Sequence, residues 1–170
     1  DRRQRQMCIR DSNYTASTRL ILKQCGLSDE DIDNRLIKVH GEASNNDIIF
    51  GVEDNAGIKK EHVFLRKAYN IKYKALNFSE LYDRIKSVAI FGHSLGETDH
   101  TYFNKLFQES CMYNKFSTNN NKEFWLFYYK ENDYHCMMQQ LDSLTHNSLT
   151  SFRQYNRVNF INTDKEKVFI

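Results

Sequence analysis

The sequence predicts an α/β fold: an open, mostly parallel sheet flanked by helices. Three observations predict it. Short runs rich in β-branched and aromatic residues recur at 35–39, 47–52, 87–91, 123–130 and 157–162. Between several of them lie stretches whose apolar residues repeat at helical spacing. Two runs end at glycine-containing turns, His40-Gly41 and Gly92. Strands alternating with helices are what a parallel sheet requires, because parallel neighbours must be joined by a long crossover.

The elements follow in order. Residues 1–12, "DRRQRQMCIRDS", begin without Met and resemble translated adapter read-through, so they are expected to be non-native and are set aside. Residues 13–170 are expected to form a single α/β domain. "RLIKV" and "DIIFGV" read as short strands joined by the polar turn "EASNN", where Asn45 and Asn46 suit a turn. From Lys60 to Lys86 a loose helical pattern carries Phe64, Leu65, Ala68, Ile71 and Leu81, broken near Asn77, where Ser79 would cap a second helix. "SVAIF" is a strand ending at Gly92, and Tyr102, Phe103, Leu106 and Phe107 repeat at helical spacing after Asp99. "STNNNKEF" suits a loop at Asn119–Asn121, "EFWLFYYK" a buried strand, 133–146 a helix and "RVNFIN" a last strand. Phe124, Trp125 and Phe127 are expected in the core.

Composition narrows the function classes. A chain of 170 residues suits one core. A net charge of +2 points to neither nucleic acid nor acidic membranes as a partner. The longest apolar and aromatic run, "FWLFYY", is far short of the roughly 18 residues that span a bilayer. With no secretory signal either, a cytoplasmic location is expected. Cys8, Cys25, Cys111 and Cys136 form no C-x-x-C pair, so reduced thiols are expected and no metal. Proline is absent while residues with AT-rich codons abound, which suits a bacterial source.

In open α/β sheets ligands sit beyond the carboxyl ends of the strands. If the strands from 35 and 87 are parallel neighbours, His40-Gly41 and the Gly92 loop emerge on one edge, and these two loops are the candidate site. Gly92-x-Ser94-x-Gly96 between strand and helix is also the spacing of a nucleophile elbow. A serine esterase would then draw its acid from Asp99, Asp133 or Asp142 and its histidine from His135 or His146. Against that, Gly96 is followed by the polar run Glu97-Thr98-Asp99-His100, which suits a ligand-facing loop. A nucleotide pocket needs no proton relay at Ser94. Gly92 lets backbone approach a ligand, Ser94 adds a hydroxyl, and Asp99 suits ribose hydroxyls. Plainer roles stand beside these: His40 bonding loop carbonyls, Asp99 capping the helix that starts at His100, and His62, His93 and His100 as solvated side chains. The tyrosines between 69 and 82, interleaved with Lys67, Lys72 and Lys74, read as an amphipathic helix with solvated lysines.

"IFGHSLGETDHTYFNKLF" resembles the signature segment of the AbiH-type bacteriophage abortive-infection proteins, and "KVHGEASNNDIIFGVEDN" resembles that family's His-Gly segment. The likeness extends loosely from Arg35 to Ile170. The family is similar, more distantly, to sirtuin-like, NAD-binding α/β domains, so the resemblance implies a Rossmann-like or sirtuin-like sheet. It implies His40 as a general base on a ribose hydroxyl, a role suited to imidazole's pKa of about 6.5. It implies Gly41, Gly92, His93, Ser94 and Asp99 as the residues lining NAD or another nucleotide. It further implies a phage-derived trigger and, in the intact protein, NAD hydrolysis or nucleotide sensing without turnover. The family's first glycine loop, with a motif like N-G-F-D, has no counterpart here. The chain is therefore expected to be the C-terminal part of a larger nucleotide-binding domain, and the fragment alone to be inactive.

Overall fold

The computed structural model describes residues 9–11, 15–49, 51–52, 56–69, 82, 85–112 and 121–165. The chain divides into two compact units, Asp1–Leu76 and Asn77–Ile170.

The first unit holds β1 (Ile9–Asp11), α1 (Ser17–Gln24), α2 (Asp29–Arg35) and β2 (Leu36–Lys38). Strands β1 and β2 pair in parallel, Ile9 opposite Leu36 and Asp11 opposite Lys38. Strand β1 thus lies inside the stretch 1–12 that sequence reasoning sets aside. Helix α2 starts where Ser28 Oγ accepts the Asp31 N–H at 3.1 Å, with Asp29, Glu30 and Asp31 in its positively polarised first turn. It buries Ile32 completely. Arg19 of α1 reaches Asp29 at 3.1 Å and also Asp33, and Lys23 reaches Asp29 at 2.8 Å, so an exposed ion-pair cluster ties α1 to α2.

Two expectations change in this unit. "DIIFGV" does not form a strand: Asp47–Ile49 run as irregular chain, and Phe50 lies outside the described residues. Ile49 N–H bonds the His40 carbonyl, and Val52 exchanges bonds with Leu65 and Lys67 instead of joining a sheet. The helical pattern after Lys60 resolves into two short 3₁₀ segments, Lys60–Leu65 and Lys67–Tyr69. Residues 70–81, where Ser79, Lys72 and Lys74 fall, lie outside the described residues.

The second unit carries β3 (Ser87–Ile90), α3 (His100–Ser110), β4 (Glu123–Tyr128), α4 (Glu131–Leu144), α5 (Leu149–Tyr155) and β5 (Arg157–Asn162). The sheet is parallel in the order β3-β4-β5, with Ile90 opposite Leu126 and Leu126 opposite Phe160. The α/β architecture with an open parallel sheet flanked by helices is therefore present. Strand periodicity explains its core. Ile90, Phe124 and Leu126 point to one face, where Leu106 and Phe107 of α3, Met137, Leu141 and Leu144 of α4 and Phe152 of α5 pack on them. Phe107, Phe124 and Phe152 interlock with ring centroids 4.8–5.6 Å apart. Trp125 and Phe127, on the other side of the alternation, are only half-buried, so of the three aromatics expected in the core Phe124 alone is enclosed.

Lys122 is a buried cation, 1% exposed, at the entry to β4. Its Nζ donates to the Tyr82 and Ile85 carbonyls at 2.7 and 2.8 Å and lies 3.9 Å from the Tyr82 ring centre. It thereby satisfies two acceptors just before β3. Among the described residues no helix is long and apolar enough to cross a membrane.

Candidate functional site

The strand starting near residue 35 is β2, and it pairs with β1, while the strand at 87 is β3 and pairs with β4. The two candidate loops therefore belong to different sheets and different units.

In the first unit, the carboxyl ends of β1 and β2 carry a buried polar cluster. Asp11 ends β1 and Lys38 ends β2, with Lys38 Nζ 2.7 Å from Asp11 Oδ2 and 3.7 Å from Glu42 Oε2. The same ammonium donates to the Thr15 carbonyl. His40 is 6% exposed and Glu42 8%. Gly41 has φ +74°, and a Cβ there would lie 2.1 Å from the Asp47 carbonyl oxygen. Glycine at 41 is thus demanded by the chain folding back on itself, which is reason enough for it without a ligand. Asp47 Oδ1 accepts the Glu42 N–H at 2.7 Å and closes the turn, and Asn46 takes the left-handed conformation at φ 51° as a turn residue. One ammonium faces more than one carboxylate here. Such an edge suits the donors of sugar hydroxyls better than phosphate.

In the second unit, Gly92, His93, Ser94 and Asp99 share one loop at the carboxyl end of β3. Gly92 has φ +65°, and a Cβ added there would meet nothing within 4 Å, so open space borders its backbone. His93 Nδ1 accepts the Leu95 N–H at 2.9 Å. The ring proton therefore sits on Nε2, which is 3.3 Å from Asp99 Oδ2. The ring also meets Phe103 edge-on at 5.2 Å. Asp99 occupies the N-cap position of α3 but makes no side-chain capping bond, so its carboxylate faces His93 instead of serving the helix.

The loop is held from its other side by His100. That imidazole's Nε2–H donates to the Leu95 carbonyl at 3.1 Å and lies 2.8 Å from Gln140 Oε1 on α4. Leu95 takes φ 55°, an unfavourable value for a branched side chain, and is fully buried. Burial and two histidine bonds over-determine that backbone. Ser94 is left exposed at the rim.

The geometry departs from a nucleophile elbow. Leu95, not Ser94, is the non-glycine residue of the loop with a left-handed backbone, and a 3₁₀ turn at Glu97–Asp99 intervenes before α3. His135 stands 3.9 Å from Glu131 on the exposed side of α4, and His146 bonds Gln108 at 2.9 Å. Among the described residues no hydrogen bond reaches the Ser94 hydroxyl, and no three His, Cys, Asp or Glu side chains gather as a metal would require.

Sequence reading passes over Asp11, Lys38 and Glu42 in the first unit and Leu95 and Gln140 in the second, and takes His100, which bonds Leu95 and Gln140, for a solvated side chain. An acid closing the run "IRD" was a legible signal for Asp11. His100 lacked one, because its partner Gln140 lies 40 residues away.

A parallel α/β protein with a histidine-pinned, glycine-opened loop at the carboxyl edge of its three-stranded sheet is the class that fold and site define. The model for bacteriophage abortive infection AbiH matches residues 3–129, more than half of the chain. The chain belongs to the AbiH family. No curated protein and no solved structure matches it.

Proposed function

We propose that this AbiH-family chain serves phage defence by abortive infection through a nucleotide bound at the Gly92–Asp99 loop, NAD being the nucleotide the family resemblance suggests. The observation that carries the reading is the open backbone at Gly92 on the carboxyl edge of β3, beside the exposed Ser94 and a carboxylate held by His93. Asp99 accepts ribose hydroxyls, Ser94 adds a donor, and Gly92 lets the ligand approach the main chain. Burial of Leu95 and the bonds from His93 and His100 keep the loop in shape before a ligand arrives, which lowers the ordering cost of binding.

Titration calorimetry of the whole chain with NAD tests this. Saturable binding that Asp99→Asn weakens by about tenfold, the cost of one lost charge-assisted hydrogen bond, supports it. Folded protein that binds no nucleotide refutes it.

A second reading, NAD hydrolysis to nicotinamide and ADP-ribose with water as co-reactant, is favoured by the buried imidazole of His40 at the carboxyl end of β2. There His40 acts as the base on a ribose hydroxyl of NAD bound at the carboxyl ends of β1 and β2, within the first unit. Nicotinamide release lost in His40→Ala while NAD binding persists supports turnover. Binding without any release leaves a nucleotide sensor. Labelling of Ser94 by a fluorophosphonate would instead favour the esterase.

A further inference from the structure

We infer that His93 is a proton-operated latch on the Gly92–Asp99 loop, closed while its imidazole is neutral and released when the ring takes a second proton. The latch is a property of the loop itself; its control of a ligand rests on the nucleotide reading of that loop.

Both ring nitrogens are committed in the neutral form. Nδ1 accepts the Leu95 N–H at 2.9 Å, and Nε2 carries the ring proton 3.3 Å from Asp99 Oδ2. A doubly protonated imidazole is a donor at both nitrogens. Nδ1–H then faces the Leu95 N–H, donor against donor, and that bond cannot persist. The Nε2 side changes in the opposite sense, because the imidazolium forms a charge-assisted bond with the Asp99 carboxylate. Protonation therefore draws the ring to Asp99 and lets go of Leu95.

The surroundings single out this ring. Asp99 faces it from the 3₁₀ turn Glu97–Asp99, and Phe103 faces it edge-on from α3 with an uncharged ring. His100 grips Leu95 at its other end, where Nε2 donates to the carbonyl at 3.1 Å and lies 2.8 Å from Gln140 Oε1. That nitrogen remains a donor in the imidazolium, so protonation of His100 preserves its bond to Leu95. The two histidines hold opposite ends of one residue, and only the hold of His93 depends on the absence of a proton.

Leu95 is where the release is felt. It is fully buried with φ 55°, a backbone that a branched side chain adopts only under constraint. When the N–H is released, the Ser94–Leu95 peptide relaxes. At the same time the Asp99 carboxylate is engaged by the imidazolium and accepts ribose hydroxyls less well.

The test follows the His93 ring resonances and the Leu95 amide by NMR of the whole chain between about pH 5 and 8, the interval in which imidazoles titrate. The amide is read as a protection factor, which removes the intrinsic pH dependence of exchange. Wild type is expected to lose about fivefold in Leu95 protection, the effect of one hydrogen bond, in step with titration of the His93 ring. His93→Asn, whose amide oxygen accepts the Leu95 N–H but takes no proton, is expected to keep its protection throughout, and His100→Gln to keep the wild-type transition. Leu95 protection in wild type that does not follow the His93 ring overturns the latch, whether or not the variants fold. A transition that survives in His93→Asn overturns it as well. Calorimetry with NAD then reads the control of the site: wild type is expected to bind about fivefold more weakly at the acid end, and His93→Asn equally at both ends. Wild-type affinity that ignores pH, despite a transition at Leu95, overturns that control. Absence of NAD binding at either pH sinks the nucleotide reading, while the Leu95 amide still decides the latch.

Discussion

Gly41 and Gly92 share a left-handed backbone, φ +74° and +65°, but not surroundings, so replacing each by alanine separates conformational strain from collision. Left-handed backbone costs an ordinary residue roughly 1–2 kcal/mol, and both variants pay it. At Gly92 the new methyl meets nothing within 4 Å, so the cost of Gly92→Ala should stop near that range. At Gly41 it would lie 2.1 Å from the Asp47 carbonyl oxygen, 2.7 Å from its carbon and 2.9 Å from Oδ1. The segment cannot retreat without disturbing the Glu42 to Asp47 bond at 2.7 Å and the Ile49 to His40 bond at 2.9 Å, each worth about 1 kcal/mol. Gly41→Ala should therefore lose about 2–4 kcal/mol. Urea titrations followed by far-UV circular dichroism report on both units. Fluorescence of Trp125, the sole tryptophan, reports on the three-stranded sheet. Equal stability losses at the two positions would refute the claim that close approach to Asp47 demands the glycine.

Leu95→Ala, which empties a fully buried site in the loop, should cost about 2–5 kcal/mol in the same titrations, and a loss below 1 kcal/mol would show that Leu95 does not anchor the loop. Lys122→Met keeps the aliphatic stem but removes the donor to the Tyr82 and Ile85 carbonyls, so about 2–3 kcal/mol should be lost; wild-type stability would mean those acceptors find water. Burial pushes the Cys111 thiol above its ordinary pKa, so less of it is thiolate at a given pH. Iodoacetamide near neutral pH should modify the exposed Cys25 and Cys136 first, and Cys111 labelling should accelerate as pH rises; equal rates by peptide mass spectrometry would refute its protection.

The second unit was more legible than the first. "RVNFIN" is the strand expected, residue for residue, and helix α3 begins at His100 where the repeat of Tyr102, Phe103, Leu106 and Phe107 placed it. "DIIFGV" has equal β-propensity yet forms no strand among its described residues, because Val52 finds its backbone partners at 65–67. Strand β1 was hidden in a stretch whose composition gave no reason to keep it, and its three residues are a strand only because β2 pairs with them.

The same division runs through the candidate site. Sequence by itself determined the strand-loop-helix frame around Gly92-His93-Ser94-Leu95-Gly96 and the family to which that segment points, because local periodicity and residue order are properties of the chain alone. Tertiary structure decided the roles inside the frame. It gave Asp99 to His93 and not to the helix cap, sent His100 to Gln140 on α4, and made Gly41 a close-packing residue against Asp47. It also separated the His40 loop and the Gly92 loop into two sheets. Such roles depend on which side chains meet through space, and no spacing along the chain encodes a bond between residues 40 positions apart.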